Sequence, residues 1–431
     1  MGTDLRRLGD QFTLRRGTTY QSSRLGEPGP VLLGLASIQR NGGFRRDSLR
    51  TYGGDSPEAL LVRPGELYVS LKDVTQSADL LGAVARLPRD HPIGRLTQDT
   101  VRLDPKLHTV PVDYIYWLLR TPEYRDYCRA HATGTTNLGL PRDDFLAFPI
   151  PELTAERRLI IEALEGVDEK IELNRRTSET LEAIVRTLFN SWFVHFDPVR
   201  AKAEGRDPRL PRPIAELFPD HFDESESGET PAGWRGGTLA EVAEHPRRGV
   251  QPDQIHAGTP YIALEHVPKR SIALAQWATA DGVGSGKLRF ARGEILFGKL
   301  RPYFHKVGVA PVDGVCSTDI VVVRPRSDEW FGLVLGTVSS DAFVEFTNAG
   351  STGTKMPRTS WSEMERYPLA IPSSALARAF SDTVRPSVDR IIASIHESRT
   401  LATVRDALLP KLISGEIRVP QAERMLEAAP V

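Results

Sequence analysis

Residues 290–306, FARGEILFGKLRPYFHK, set the cations Arg292, Lys299, Arg301 and Lys306, with His305 when protonated, against one acid, Glu294. Phe297, Tyr303 and Phe304 sit among them. Such cations suit phosphates, and a tyrosine hydroxyl between them can add a phosphate contact. If 293–298 is a strand, its side chains alternate and half face a core. Lys299 and Arg301 then fall on the loop at the strand end, which Pro302 stiffens. A second candidate is STGTKMPR (351–358), with Thr352, Thr354, Lys355 and Arg358 around a glycine that lets backbone approach a phosphate closely. ATGTTN (132–137) offers Thr133, Thr135, Thr136 and Asn137, and an asparagine amide at such a place can pair with adenine. Arg45 and Arg46 in NGGFRRD, and Lys72, complete the candidate DNA-binding set.

Catalytic readings find little in the chain. GVGSGKL (282–288) resembles a phosphate loop, but only three residues separate Gly282 from Gly286, and Leu288 stands where a magnesium-binding Ser or Thr is needed. No Pro-Pro dipeptide exists to build the loop with which an amino-methyltransferase holds a flipped base. Asp168-Glu169-Lys170 has the residue types of a nuclease site but falls on a helical seam, where a solvated face is the simpler reading. The histidines are scattered, and the two cysteines, Cys128 and Cys316, lie outside any metal-type spacing, so no bound metal, cofactor or disulfide framework is expected. Few cysteines, no apolar core of a signal peptide in MGTDLRRLGD and no long apolar run fit a cytoplasmic protein with no membrane partner. The net charge is −1, yet residues 1–152 and 231–373 each carry +2 and the remainder −5.

These candidate residues are positioned by elements that occur twice. LVRPGELYVSLKD (61–73) matches RFARGEILFGKLRP (289–302): a cation, a Gly-Glu turn, an alternating apolar run and a lysine. TGTTNLGLPRDDFLAFPIP (133–151) matches TGTKMPRTSWSEMERYPLAIP (352–372). Each half then runs into a long helical pattern, VDEKIELN (167–174) echoing VDRIIASI (388–395), so the repeat period is about half the chain.

The first helix opens at Thr154, an expected N-cap, and carries Ile160, Leu164, Val167, Ile171, Leu181, Val185, Leu188 and Trp192 on a 4-3 heptad seam interrupted by Asn174 and Ser178. A polar Asn on such a seam often sets register and partner. The second carries Val384, Val388, Ile391, Ile395, Leu401, Val404, Leu408 and Leu412, with a phase slip between Ile395 and Leu401. Pro386 should kink this helix or mark its true start. Each helix is the obvious antiparallel partner of the other. Between the halves, 197–230 is rich in Pro and acids, and reads as a linker that wraps a surface or stays loose.

LFNSWFVHFDPVRAKAEG (188–205), LFPDHFDESESGETPAGW (217–234) and the tail RDALLPKLISGEIRV (405–419) resemble the specificity subunit of a type I restriction-modification system over nearly the whole length. GEILFGKLRPYFHK with CSTDIVVVRP (316–325) resembles a common target-recognition module. The resemblance implies an α+β fold of two target recognition domains, 1–152 and 231–373. Two conserved antiparallel helices, 153–196 and 374–418, form a ruler between them, with a linker at 197–230 and a tail at 419–431. It implies a non-catalytic subunit that reads a split double-stranded DNA sequence. Two methyltransferase subunits, which hold S-adenosylmethionine, dock on it, and a nuclease–translocase joins for restriction. The first half departs from the pattern, since ELYVSLKD lacks the Arg-Pro-Tyr of the second half and no lysine follows TGTTN. Glu156-Arg157 stands where the family often has Glu-Gln. The rival reading is a helical scaffold that assembles a complex without reading DNA.

Overall fold

The computed structural model describes residues 6–414 except 48, 76, 107–109, 226–227, 352, 354 and 355. The tail at 419–431 and the candidate residues Thr352, Thr354 and Lys355 lie outside this set. The chain divides into two compact units, one running up to Glu169 and taking in the residues from Leu401 onward, the other comprising Lys170–Thr400.

Each unit holds the same strand order. In the first, a four-stranded antiparallel sheet runs Phe12–Arg16, Thr100–Pro105, Leu67–Ser70, Val84–Arg86. Beside it in the fold, Gly94–Leu96 pairs parallel with Val31–Leu33 and antiparallel with Leu61–Val62. In the second unit the corresponding sheet runs Ala243–Glu244, Ile320–Pro325, Ile295–Gly298, Val307–Val309. There Gly314–Cys316 pairs parallel with Pro260–Ile262 and antiparallel with Lys287–Phe290, and two further short strands extend that sheet to five. A helix pair follows in each, Val112–Leu118 with Pro122–Ala130, and Phe331–Val338 with Asp341–Ala349. The sequence repeat is therefore a repeat of topology.

The Gly-Glu turns form as read. Gly65 and Gly293 have φ of 90° and 85°, the left-handed region that glycine enters without strain, and the Glu66 and Glu294 carboxylates accept the N–H groups of Arg63 at 2.7 Å and Ala291 at 2.8 Å. The strands that follow depart from the expectation that half their side chains face a core. All four residues of Leu67–Ser70 and of Ile295–Gly298 are buried. Each strand is internal to its sheet, with apolar clusters on both faces: Ile295 and Phe297 pack into one, Leu296 into another. Leu67 and Val69 are likewise separated from Tyr68.

The first long helix spans Ala155–Phe189, and Thr154 Oγ1 accepts from the Arg157 N–H at 3.3 Å, the expected cap. The second spans Ser374–Ser414. Within the first unit Ile160, Leu164 and Leu408 are buried in one cluster with Val404 against it, Val167 is buried too, and Arg405 bonds Asp168 at 2.5 Å. Within the second unit Asn174 bonds Glu397, Phe189 meets Phe380, Val185 is buried, Val388, Ile391 and Ile395 form a core with Leu181 packed against it, and Leu188 lines a third cluster. In both units residue numbers rise on one helix as they fall on the other, so the pairing is antiparallel. Ile171 and Leu401 are half-buried. Truncating a buried seam residue such as Leu164 to alanine should cost on the order of 2–5 kcal/mol.

Pro386 does not mark the start of the second helix. The helix begins twelve residues earlier, at Ser374, and runs through it. Pro386 and Asp382, the residue whose carbonyl loses its donor, are both exposed, so water can replace the missing bond. The segment after Phe189 is folded rather than loose. Val199 and Phe218 are buried, Trp192 meets Phe218 at 5.1 Å and Phe193 meets Trp234 at 5.8 Å between ring centres. Gly336 allows this packing, since a Cβ there would lie 2.1 Å from Phe189 Cδ2.

Candidate nucleic-acid interface

In the second unit the two segments singled out by residue type are bonded to each other. The Arg301 N–H donates to the Pro357 carbonyl at 2.7 Å, the Thr359 N–H to the Lys299 carbonyl at 3.0 Å, and Leu300 bridges Arg358. Arg301 and His305, with φ of 51° and 50°, flank a 3-10 turn at Pro302–Phe304. Two non-glycine residues in the left-handed region around one turn store strain of order 1–3 kcal/mol each, a pattern concentrated at functional sites. The turn presents Tyr303, 49% exposed, beside Phe304 at 4.7 Å. The Arg301 guanidinium lies over Phe304 at 5.9 Å, and Arg358 pairs with Asp319 at 3.1 Å.

Two cations of this stretch are less available than their residue types imply. His305 is buried, its Nε2–H donates to the Ser339 carbonyl at 2.9 Å, and burial pushes its pKa below 6.5. Asp341 pulls the other way, but it also pairs with Arg270 at 2.8 Å. His305 is thus a neutral core residue at neutral pH. Lys306 is half-buried with its Nζ on the Leu264 carbonyl, and burial together with Lys269 lowers its pKa. Phe297 is wholly core.

The first unit repeats the juxtaposition with different side chains. Lys72 and Asp73 pair with Gly139 and Leu138, and the Leu140 N–H donates to the Leu71 carbonyl at 2.9 Å. Thr133 closes its loop through Oγ1 on the Gly139 carbonyl at 3.0 Å, leaving Thr135, Thr136 and Asn137 exposed. Lys72 pairs with Asp99 at 3.3 Å. Arg45 and Arg46 lie on another loop, where Arg45 grips Asp47 at 2.6 Å and Arg46 pairs with Asp90 at 2.8 Å and sits over Phe44. Exposed pairs of this kind contribute roughly 0–1 kcal/mol, so their cations can be drawn to a phosphate at small cost.

Sequence reading missed Lys269 and Arg270. The Lys269 Nζ lies 4.6 Å from the Phe304 ring centre, and the Arg270 N–H donates to the His305 carbonyl at 2.8 Å. The signal was the dipeptide itself, a Lys-Arg after Val267-Pro268, far in sequence from the loop it joins. It also missed that Arg95 and Arg125 are buried, with guanidinium groups bonded to carbonyls of their own unit, so some of the chain's arginines are architectural. Among the described residues no group of His, Cys, Asp and Glu could hold a metal ion, and no helix is long and apolar enough to cross a membrane.

A mixed helix-and-strand chain, with a twice-used sheet topology, two long helices and paired polar loops, has the fold of a type I restriction-modification S subunit. The S subunit from M. genitalium superposes with a TM-score of 0.51 over 96% of this chain and 97% of that one, at 14% identity. In sequence the chain is similar to curated specificity subunits. The type I restriction enzyme HindI specificity subunit of Haemophilus influenzae is 24% identical over 371 residues, 73% of this chain and 79% of that protein. The MjaIX specificity subunit of Methanocaldococcus jannaschii is 23% identical over 326 residues, 72% and 70%. The EcoDI specificity subunit of Escherichia coli is 22% identical over 338 residues, 74% and 73%. No family model matches the chain. The resemblance read from the motifs is borne out by these relatives.

Proposed function

We propose that this chain is the DNA-recognition subunit of a type I restriction-modification complex, reading a two-part double-stranded target and carrying no catalytic site of its own. The observation that carries this is the repeated juxtaposition: in each unit, the residues after a buried strand are bonded to the stretch that follows Thr-Gly-Thr in sequence, Leu138–Leu140 in the first and Pro357–Thr359 in the second. Residues 1–152 and 231–373 are the two target recognition domains, 153–196 and 374–418 the conserved helices, and 197–230 the connection between the halves. The partners are duplex DNA and two methyltransferase subunits that bring S-adenosylmethionine, with a restriction subunit joining for cleavage in the cytoplasm.

The test is the methylation pattern of host DNA. Deleting the chain should abolish a two-block methylated motif. Exchanging residues 231–373 for those of a relative should rewrite one block and leave the other. If the exchange leaves the motif unaltered, the chain is a scaffold and the methyltransferase alone reads the sequence.

A further inference from the structure

Glu182 is a carboxylate only 6% exposed, on the first long helix, where Ser178 and Val185 are also buried. It takes its bonds from neutral donors: Ser271 Oγ–H at 2.7 Å and the Ala273 N–H at 3.0 Å. Burying a carboxylate is costly, burial raising the Glu182 pKa while its hydrogen bonds and Arg186 one turn along the helix pull it down, and a leucine would fill the seam at less expense. What the charge holds is the segment that carries Lys269 and Arg270. Lys269 bridges Lys306 and covers Phe304, while Arg270 bonds the His305 carbonyl. A hydrogen-bonded path thus runs from the helix through Ser271 to the His305–Lys306 end of the Arg301–Lys306 loop.

Packing does not secure this segment on all sides. Ile272 and Leu274 anchor its downstream end in apolar clusters. Upstream, Arg270 and Ser271 border a cavity of about 500 Å3 that Glu182, His305, Thr337 and Asp341 also line. On that side Arg270 meets the His305 carbonyl and Asp341, and the bonds of Ser271 and Ala273 to Glu182 are what tie the segment to the helix.

We infer that Glu182 is a positioning residue for DNA recognition: it fixes the Lys269–Ala273 segment, and through it the Arg301–Lys306 loop, to the first long helix. This rests on the DNA-recognition reading above. It adds Lys269 and Arg270 to the surface that the loop presents to phosphates.

Complexes of the full chain with its methyltransferase subunits would be compared for wild type, Glu182→Gln, Glu182→Ala and Val185→Ala. The probe is a duplex carrying the motif mapped from host methylation. Glu182→Gln keeps an acceptor for Ser271 and Ala273 and should retain affinity and footprint. Glu182→Ala should bind about tenfold more weakly, the order expected for the loss of buried hydrogen bonds, with protection weakened in only one of the two blocks. Val185→Ala, a cavity in the same helix, should lower the melting temperature with the footprint intact. Wild-type behaviour of Glu182→Ala, or equal loss of affinity in Glu182→Ala and Val185→Ala, overturns the inference and leaves the DNA reading standing. Failure of the wild-type complex to protect the duplex overturns both.

Discussion

Asn174 Nδ2 donates to Glu397 Oε2 at 2.8 Å from a position 1% exposed, and reaches Ser398 Oγ at 3.3 Å. A polar layer thus interrupts the apolar seam of the second unit. Lys170 approaches Glu397 at 3.3 Å and balances its charge. Such a layer stabilises one register over its neighbours, because sliding either helix by a turn would bury these groups against apolar side chains.

Asn174→Ala should therefore lower stability by about 1–3 kcal/mol, the range for stranding a buried partner, moderated because Lys170 remains. The measurement is the urea midpoint of the purified complex. An unchanged midpoint would mean the layer has no structural role.

The apparent phase slip between Ile395 and Leu401 has the same explanation. Counting only apolar residues, the second helix loses its pattern there. In the structure Ser398 and Arg405 occupy the inward positions, one meeting Asn174 and the other Asp168. Apolar periodicity exposes a seam only where the seam is apolar. The strand–turn motifs were legible for the complementary reason: Gly-Glu followed by an apolar run is a local signal. That Leu296 and Tyr68 face a second core was not legible, since it depends on strands distant in sequence. The candidate cations were legible by type, but their carboxylate partners, Asp99 for Lys72 and Asp319 for Arg358, come from other parts of the chain.

Stability should fall as pH drops below neutrality. Burial lowers the folded-state pKa of His305, and also of His245 and His266, below 6.5. The unfolded chain takes up protons below about pH 6.5 and the folded chain resists until lower pH, so these groups' contribution is present above 6.5 and lost as pH falls. Each group can add a slope of at most about 1.4 kcal/mol per pH unit. His305→Gln should flatten the pH dependence between about pH 6.5 and 5, read from denaturation midpoints, by up to one proton's worth. An unaltered profile would show that His305 titrates as in the unfolded chain.

Lys299→Ala combined with Arg301→Ala should weaken DNA binding by the complex about equally for all sequences. The slope of log affinity against log salt should fall by roughly one for each phosphate no longer neutralised. Alanine adopts the backbone of Arg301, φ 51°, no more easily than arginine does, so the turn geometry is not relaxed by the change. An unchanged slope would make this loop an ordinary surface turn.

The carboxylates that hold the candidate cations give a prediction of opposite sign. Lys72 pairs with Asp99 and Arg358 with Asp319, each an exposed cation on a half-buried carboxylate. If these cations meet DNA, the carboxylates compete with phosphates and repel the backbone. Asp99→Asn and Asp319→Asn each remove one negative charge and keep the side-chain shape. Losing an exposed pair should cost stability no more than about 1 kcal/mol. Nonspecific duplex affinity of the complex should rise, with a steeper salt dependence, because each freed cation displaces counterions that the pair had kept from it. The chain alone, with a net charge of −1, should bind DNA weakly in both forms and need the proposed methyltransferase partners for tight binding. Electrophoretic mobility shifts across a salt series, with and without those partners, separate the outcomes. If affinity is unmoved by both substitutions at every salt concentration, Lys72 and Arg358 lie away from the DNA and the polar loops face another partner.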